Sequence, residues 1–124
     1  MTKEYVLGFA FNAARDKVVL VKKDRPEWQK GLLNGVGGKV EESDRQHDHP
    51  YGTWLYAMKR EFLEETGVDI YNWDYFANMT FDNDVLGGKA IVYCFRIFTD
   101  DVLKCKTMET EKIEITNFKN KTLQ

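Results

Sequence analysis

The chain has 124 residues, 43% of them hydrophobic and 14% aromatic, with a formal net charge of −2. This is the makeup of one globular domain, expected to span 1–124, and it excludes a disordered chain or a general nucleic-acid binder, which needs a basic surface. No apolar run reaches about 18 residues, so no membrane-spanning helix is expected. Cys94 and Cys105 are too few for a disulfide framework or a cysteine zinc cluster, and no convincing leader is present, so a cytoplasmic protein is expected.

Tyr5 to Phe11 is rich in strand formers and stops at Asn12, and Lys17 to Lys22 is a short run of the buried type. The Asn-Ala-Ala-Arg-Asp stretch between them predicts a hairpin. Lys23 to Leu33, with Pro26 and Gly31, predicts a loop in which Trp28 serves packing. The cluster Gly35, Gly37, Gly38 predicts a backbone that approaches a neighbour closely. From Thr53, a fair N-cap, the pattern turns helical: Trp54, Met58 and Phe62 recur at i+4, with Leu55 and Ala57 widening the stripe. Gly67 is suited to close that helix. Trp73 to Phe81 and Ala90 to Phe98 read as strands joined by a tight connection, and Thr107 to Phe118 as the last strand. Cys94 lies in an apolar run and is expected to be a small buried hydrophobe. Strands on both sides of one central helix predict a layered α/β or α+β domain.

Within that helix the chain reads Arg60-Glu61-Phe62-Leu63-Glu64-Glu65-Thr66-Gly67-Val68. Glu61, Glu64 and Glu65 stand at i, i+3 and i+4, so their carboxylates crowd one face, away from the apolar stripe. Two of them occupy the last turn, the negative end of the helix dipole, where acids are disfavoured. As structure this is a poor arrangement; a hard divalent cation such as Mg²⁺ would give it a purpose. A solvated acidic face is the competing reading.

Together with Leu33-Asn34-Gly35-Val36-Gly37-Gly38-Lys39-Val40-Glu41 upstream, this stretch resembles the Nudix hydrolase family, whose box is Gly-x5-Glu-x7-Arg-Glu-φ-x-Glu-Glu-x-Gly-φ, with φ apolar. Gly38 matches the first Gly, and Arg60, Glu61, Phe62, Glu64, Glu65, Gly67 and Val68 match the second half. The spacing departs from the pattern: 21 residues separate Gly38 from Arg60, eight more than the box holds. Counted from Gly38, Asp44 stands at the place of the first box Glu; counted back from Arg60, Gly52 does. The insertion is read as Arg45 to Gly52, expected to be an exposed loop dispensable to the core. His47 and His49 within it suggest a metal pair, though a solvated loop is the more ordinary reading.

The resemblance implies a Nudix α/β/α sandwich with a mixed sheet and a loop–helix–loop metal site, the usual C-terminal helix being absent. It implies Mg²⁺, with Mn²⁺ as a substitute, held by Glu61, Glu64 and Glu65. One of these would act as base, Arg60 would orient them, and the Gly38 carbonyl would join the metal sphere. A fourth carboxylate is sought among Glu109, Glu111 and Glu114, with Glu111 favoured by alignment. Asn34 resembles the purine-contacting Asn of the 8-oxo-dGTP diphosphatase branch, and Lys39 is placed beside the phosphates. The implied activity is hydrolysis of a (deoxy)nucleoside triphosphate to monophosphate and pyrophosphate. Alternatives are ADP-ribose, a dinucleoside polyphosphate or a sugar nucleotide as substrate, or a non-catalytic nucleotide-sensing module. The partner is thus a small nucleotide, and a homodimer is expected to cover apolar side chains of the Ala90 to Phe98 strand.

Overall fold

The computed structural model describes residues 2–24, 27–46, 50–83 and 88–117, so His47 and His49 lie outside the described residues. In chain order the elements are β1 (Thr2–Phe11), β2 (Lys17–Lys22), β3 (Leu33–Asn34), β4 (Val36–Lys39), α1 (Pro50–Thr66), β5 (Asp74–Asn83), β6 (Gly88–Phe98) and β7 (Ile113–Asn117). All seven strands join one mixed sheet. β1 is its spine: it runs parallel to β6 from Thr2 to Phe11, while its other edge pairs antiparallel with β4 near its start and with β2 near its end. The β1–β2 hairpin is as expected. Its turn is closed by Asn12, whose Oδ1 accepts the Asp16 and Lys17 N–H groups at 3.0 and 2.9 Å.

Among the described residues α1 is the only α-helix, and it covers one face of the sheet. Ala57, Met58 and Phe62 pack on Val6, Ala10, Val36, Phe95 and Ile97, all buried. Met58 fills the space above Gly8, where a Cβ would lie 2.6 Å from its terminal methyl. Phe62 meets Trp73 edge-on at 5.0 Å. The arrangement is an α+β fold with a single helical layer.

The glycine cluster approaches a neighbour closely, as expected: Gly37 and Gly38 lie in strand β4, and a Cβ on Gly37 would collide with the Val6 carbonyl, so glycine is what lets β4 lie against β1. Three expectations are corrected. The helix begins at Pro50 rather than after Thr53, which is buried inside it; proline suits a first helical position because its missing N–H is not needed there. Consequently Arg45 to Gly52 is not simply an exposed loop. Its first two residues belong to the 3₁₀ turn Glu42–Gln46 and its last three open α1. Finally, the last strand starts at Ile113, not Thr107. The stretch before it returns to the helix end, with the Lys106 and Met108 N–H groups donating to the Thr66 and Glu65 carbonyls at 3.1 and 3.2 Å.

On the opposite face a cavity of about 680 Å³ is lined by Tyr5 and Leu7 of β1, Val92 of β6 and Met79 and Phe81 of β5. Exposure falls on Met79 and Phe81 rather than on β6, whose Tyr93, Cys94, Phe95 and Ile97 are buried.

Candidate active site

Gly67 ends α1 as expected, with φ 79° and its N–H bonded to the Leu63 carbonyl at 2.9 Å. This fixes where the three acids stand relative to β4. A Cβ on Gly38 would lie 2.5 Å from Glu61 Oε2, so only glycine lets that carboxylate rest on the strand.

Arg60 is the hub of the cluster. Its Nε and Nη2 reach the two oxygens of Asp44, each at 2.9 Å, the bidentate geometry for which a guanidinium is shaped. Asp44 is wholly buried and also accepts the Glu41 N–H at 2.8 Å. Arg60 Nη1 reaches Glu61 at 2.9 Å, Glu64 at 2.8 Å and Glu41 at 3.3 Å, and Nη2 reaches the Lys39 carbonyl at 3.2 Å. The hydrogen bonds it donates to Asp44, then the neighbouring Glu61 charge, raise Arg60 above its ordinary pKa against the pull of burial. Asp44 therefore anchors the arginine, which in turn orients two of the three helix acids.

Glu65 lacks that arrangement. Its Oε2 is buried with no hydrogen-bond partner. Burial first, then repulsion from Glu61 and Glu109, pushes its carboxyl up to about 8 despite the opposing Lys23. Glu61 is also raised, by burial before anything else, with Arg60 opposing and Glu64 and Glu109 adding to the rise. An unpartnered buried oxygen beside two further acids is what a resident cation would satisfy, so the donor set fits a hard divalent ion. Among the described residues no three ligand-type side chains converge closely enough to hold an ion as they stand. Glu61 and Glu64 are turned to Arg60 instead.

Of the late acids, Glu111 is engaged elsewhere: it accepts Lys23 Nζ at 3.1 Å and the Asp24 N–H at 2.6 Å. Glu114 lies exposed in β7. Glu109 is the one whose charge acts on both Glu61 and Glu65. Alignment by the preceding strand favours Glu111, whose charge reaches Glu65 but whose carboxylate is paired with Lys23. Glu41 and Lys23 were missed altogether, although Glu41 closes the Gly-Gly-Lys-Val-Glu run and carried a visible signal.

Asn34, Lys39 and Lys23 line the large cavity. Asn34 Oδ1 accepts the Gly35 N–H at 2.8 Å. Since a backbone N–H can only donate, the oxygen is fixed in that bond and the Nδ2 amide remains as a donor.

A family model described as the NUDIX domain matches residues 1–118. No curated protein sequence matches the chain. Among solved structures, a MutT NUDIX hydrolase from Burkholderia pseudomallei superposes with a TM-score of 0.67 at 15% identity, over 94% of this chain and 81% of that one. The MutT protein from Methanosarcina mazei Go1 gives 0.66 at 21%, over 93% and 75%. The NUDIX domain of Shewanella oneidensis NrtR, complexed with ADP ribose, gives 0.71 at 14%, over 95% and 74%. Identities this low carry the fold alone, but the family model spans almost the whole sequence. This chain belongs to the Nudix family.

Proposed function

We propose that the chain hydrolyses the diphosphate of a nucleotide, with a (deoxy)nucleoside triphosphate cleaved to monophosphate and pyrophosphate as the leading substrate class. The family supports a nucleotide-diphosphate hydrolase in general, and Nudix hydrolases generally use divalent metals such as Mg²⁺. The observation that carries the reading is Glu65: a buried, unpartnered carboxylate oxygen in a raised-pKa cluster at a helix end.

In this reading Glu61, Glu64, Glu65 and Glu109 hold Mg²⁺ or Mn²⁺, with the Gly38 carbonyl as a further oxygen donor. The ion would supply charge neutralisation at the phosphate oxygens. Arg60, locked by Asp44, keeps Glu61 and Glu64 oriented, and one helix carboxylate takes the proton of the attacking water. Lys39, on the cavity side of β4, meets the phosphates. Asn34 offers its Nδ2 donor to a base oxygen or ring nitrogen, favouring bases that present an acceptor there. The protein works as one domain, and a second copy would cover Met79 and Phe81; light scattering across micromolar concentrations tests that point.

Pyrophosphate release from a panel of nucleoside triphosphates with Mg²⁺ is the direct test. ADP-ribose is assayed beside the panel, because the NrtR NUDIX domain was solved with it; its cleavage is read as AMP and ribose 5-phosphate, since it releases no pyrophosphate. Turnover of ADP-ribose alone would move the substrate, whereas no turnover of any diphosphate would leave a nucleotide sensor. The intact Arg60, Glu61, Glu64 and Glu65 set weighs against that last outcome.

A further inference from the structure

On the helix-facing side of β1, the Glu4 carboxylate accepts hydrogen bonds from the Tyr93 hydroxyl at 3.0 Å, from Trp54 Nε1 at 3.2 Å and from the Arg45 guanidinium. The rings of Trp54 and Tyr93 stack with centroids 3.7 Å apart, so α1 and β6 hold Glu4 independently of Arg45. Burial by itself would push this carboxyl up, but the donors outweigh it and leave Glu4 below its ordinary range. A fixed anion on the central strand is an anchor. What it anchors is the turn Glu42–Gln46, because Arg45 follows directly on Asp44. Asp44 must present both oxygens to Arg60 in a fork that tolerates little displacement.

We propose that Glu4 is a positioning residue for the acidic cluster: through Arg45 it fixes the Glu42–Gln46 turn where Asp44 meets Arg60, and Arg60 then sets Glu61 and Glu64. Each link is a contact of this structure, from Glu4 to Arg45, along one peptide unit to Asp44, across to Arg60 and on to both acids. The proposal gives the lengthened box a purpose, since Arg45 is the first residue beyond Asp44 and ties the start of the extra segment to the sheet. It rests on reading the acidic cluster as a cation site.

The test is Mn²⁺ binding without nucleotide, followed by electron paramagnetic resonance, for the full chain and for Glu4→Gln, Arg45→Met and the double variant, with each melting temperature recorded. Glu4→Gln keeps the size of the side chain, and the exposed Arg45 can be replaced without opening the core. Each single variant is expected to weaken Mn²⁺ by about 3- to 10-fold, short of the 10–100-fold typical of groups that touch a ligand directly. The double variant should be no weaker than the singles, since both remove the same link. Trp54→Phe, which removes one of the bonds holding Glu4 but keeps Arg45, should lower the melting temperature and weaken Mn²⁺ less than either single variant. Unchanged Mn²⁺ affinity in Glu4→Gln and Arg45→Met, or additive losses in the double variant, would overturn the proposal and leave Glu4 a purely structural clasp. A wild-type protein that takes up no Mn²⁺ would instead remove the cation reading itself, and this inference with it.

Discussion

Glu64 and Glu65 are neighbours in sequence, yet the two flanks of the helix end treat them differently. On the Glu64 flank, Arg60 collects Glu61, Glu64, Glu41 and the buried Asp44 around one guanidinium. On the Glu65 flank the nearest cation, Lys23, is already paired with Glu111, and Glu65 is left with a buried oxygen bonded to nothing. On the first flank every carboxylate touches a cation, but four acids share one guanidinium, and Glu61 is still raised by burial. On the second flank the buried oxygen of Glu65 touches no cation at all. The proposed cation site lies where the two flanks meet and negative charge is in excess.

The comparison is tested hardest by Glu65→Gln. It should reduce turnover by more than the roughly 10–100-fold that supporting groups show, while raising the melting temperature of the metal-free protein near neutral pH by on the order of 5 °C, because glutamine need not take up a proton on folding. Undiminished turnover at saturating Mg²⁺ would break the assignment. Arg60→Met attacks the other flank and should destabilise the fold by about 3–5 kcal/mol, because it leaves the buried Asp44 charge without its partner. Urea unfolding measures this, and a loss below about 1 kcal/mol would mean that Asp44 is satisfied by other groups.

A smaller effect concerns pH. The folded Glu65 pKa of about 8 lies above its unfolded value, so the native state binds the extra proton and stability is lost as pH rises toward 8. Melting temperatures of the metal-free protein should therefore fall between about pH 5 and pH 8, and the slope should flatten in Glu65→Gln. Cation binding at neutral pH should release a proton, visible as buffer-dependent heats in calorimetry. The smallest effect belongs to Glu64→Gln, whose half-exposed contact with Arg60 should change metal-free stability by no more than about 0.5 kcal/mol. A loss approaching that of Arg60→Met would show that the Arg60 flank depends on Glu64 as well as on Asp44.

Much of this protein was legible in one dimension. The spacing of Arg60, Glu61, Glu64, Glu65 and Gly67 on a 3.6-residue period fixed the acidic helix face and its end, and runs of strand-forming and apolar residues located β1, β2, β5 and β6 to within a few residues. These are local properties, set by neighbours in sequence and by the geometry of helix and strand. Counting along the chain left Asp44 and Gly52 as rivals for the first box position, and the fold put Asp44 on Arg60. What spacing could not supply was which acids would be neutralised. Glu4, forty-one residues from Arg45, and Lys23, eighty-eight from Glu111, meet their partners because β4 pairs with β1 and β7 with β2. That Glu109 acts on both Glu61 and Glu65, and Glu111 on Glu65, likewise follows from the fold and not from spacing. Charge pairing depends on distance in space, and the sequence orders residues only along the chain; the fold decided which carboxylates found partners and left Glu65 without one.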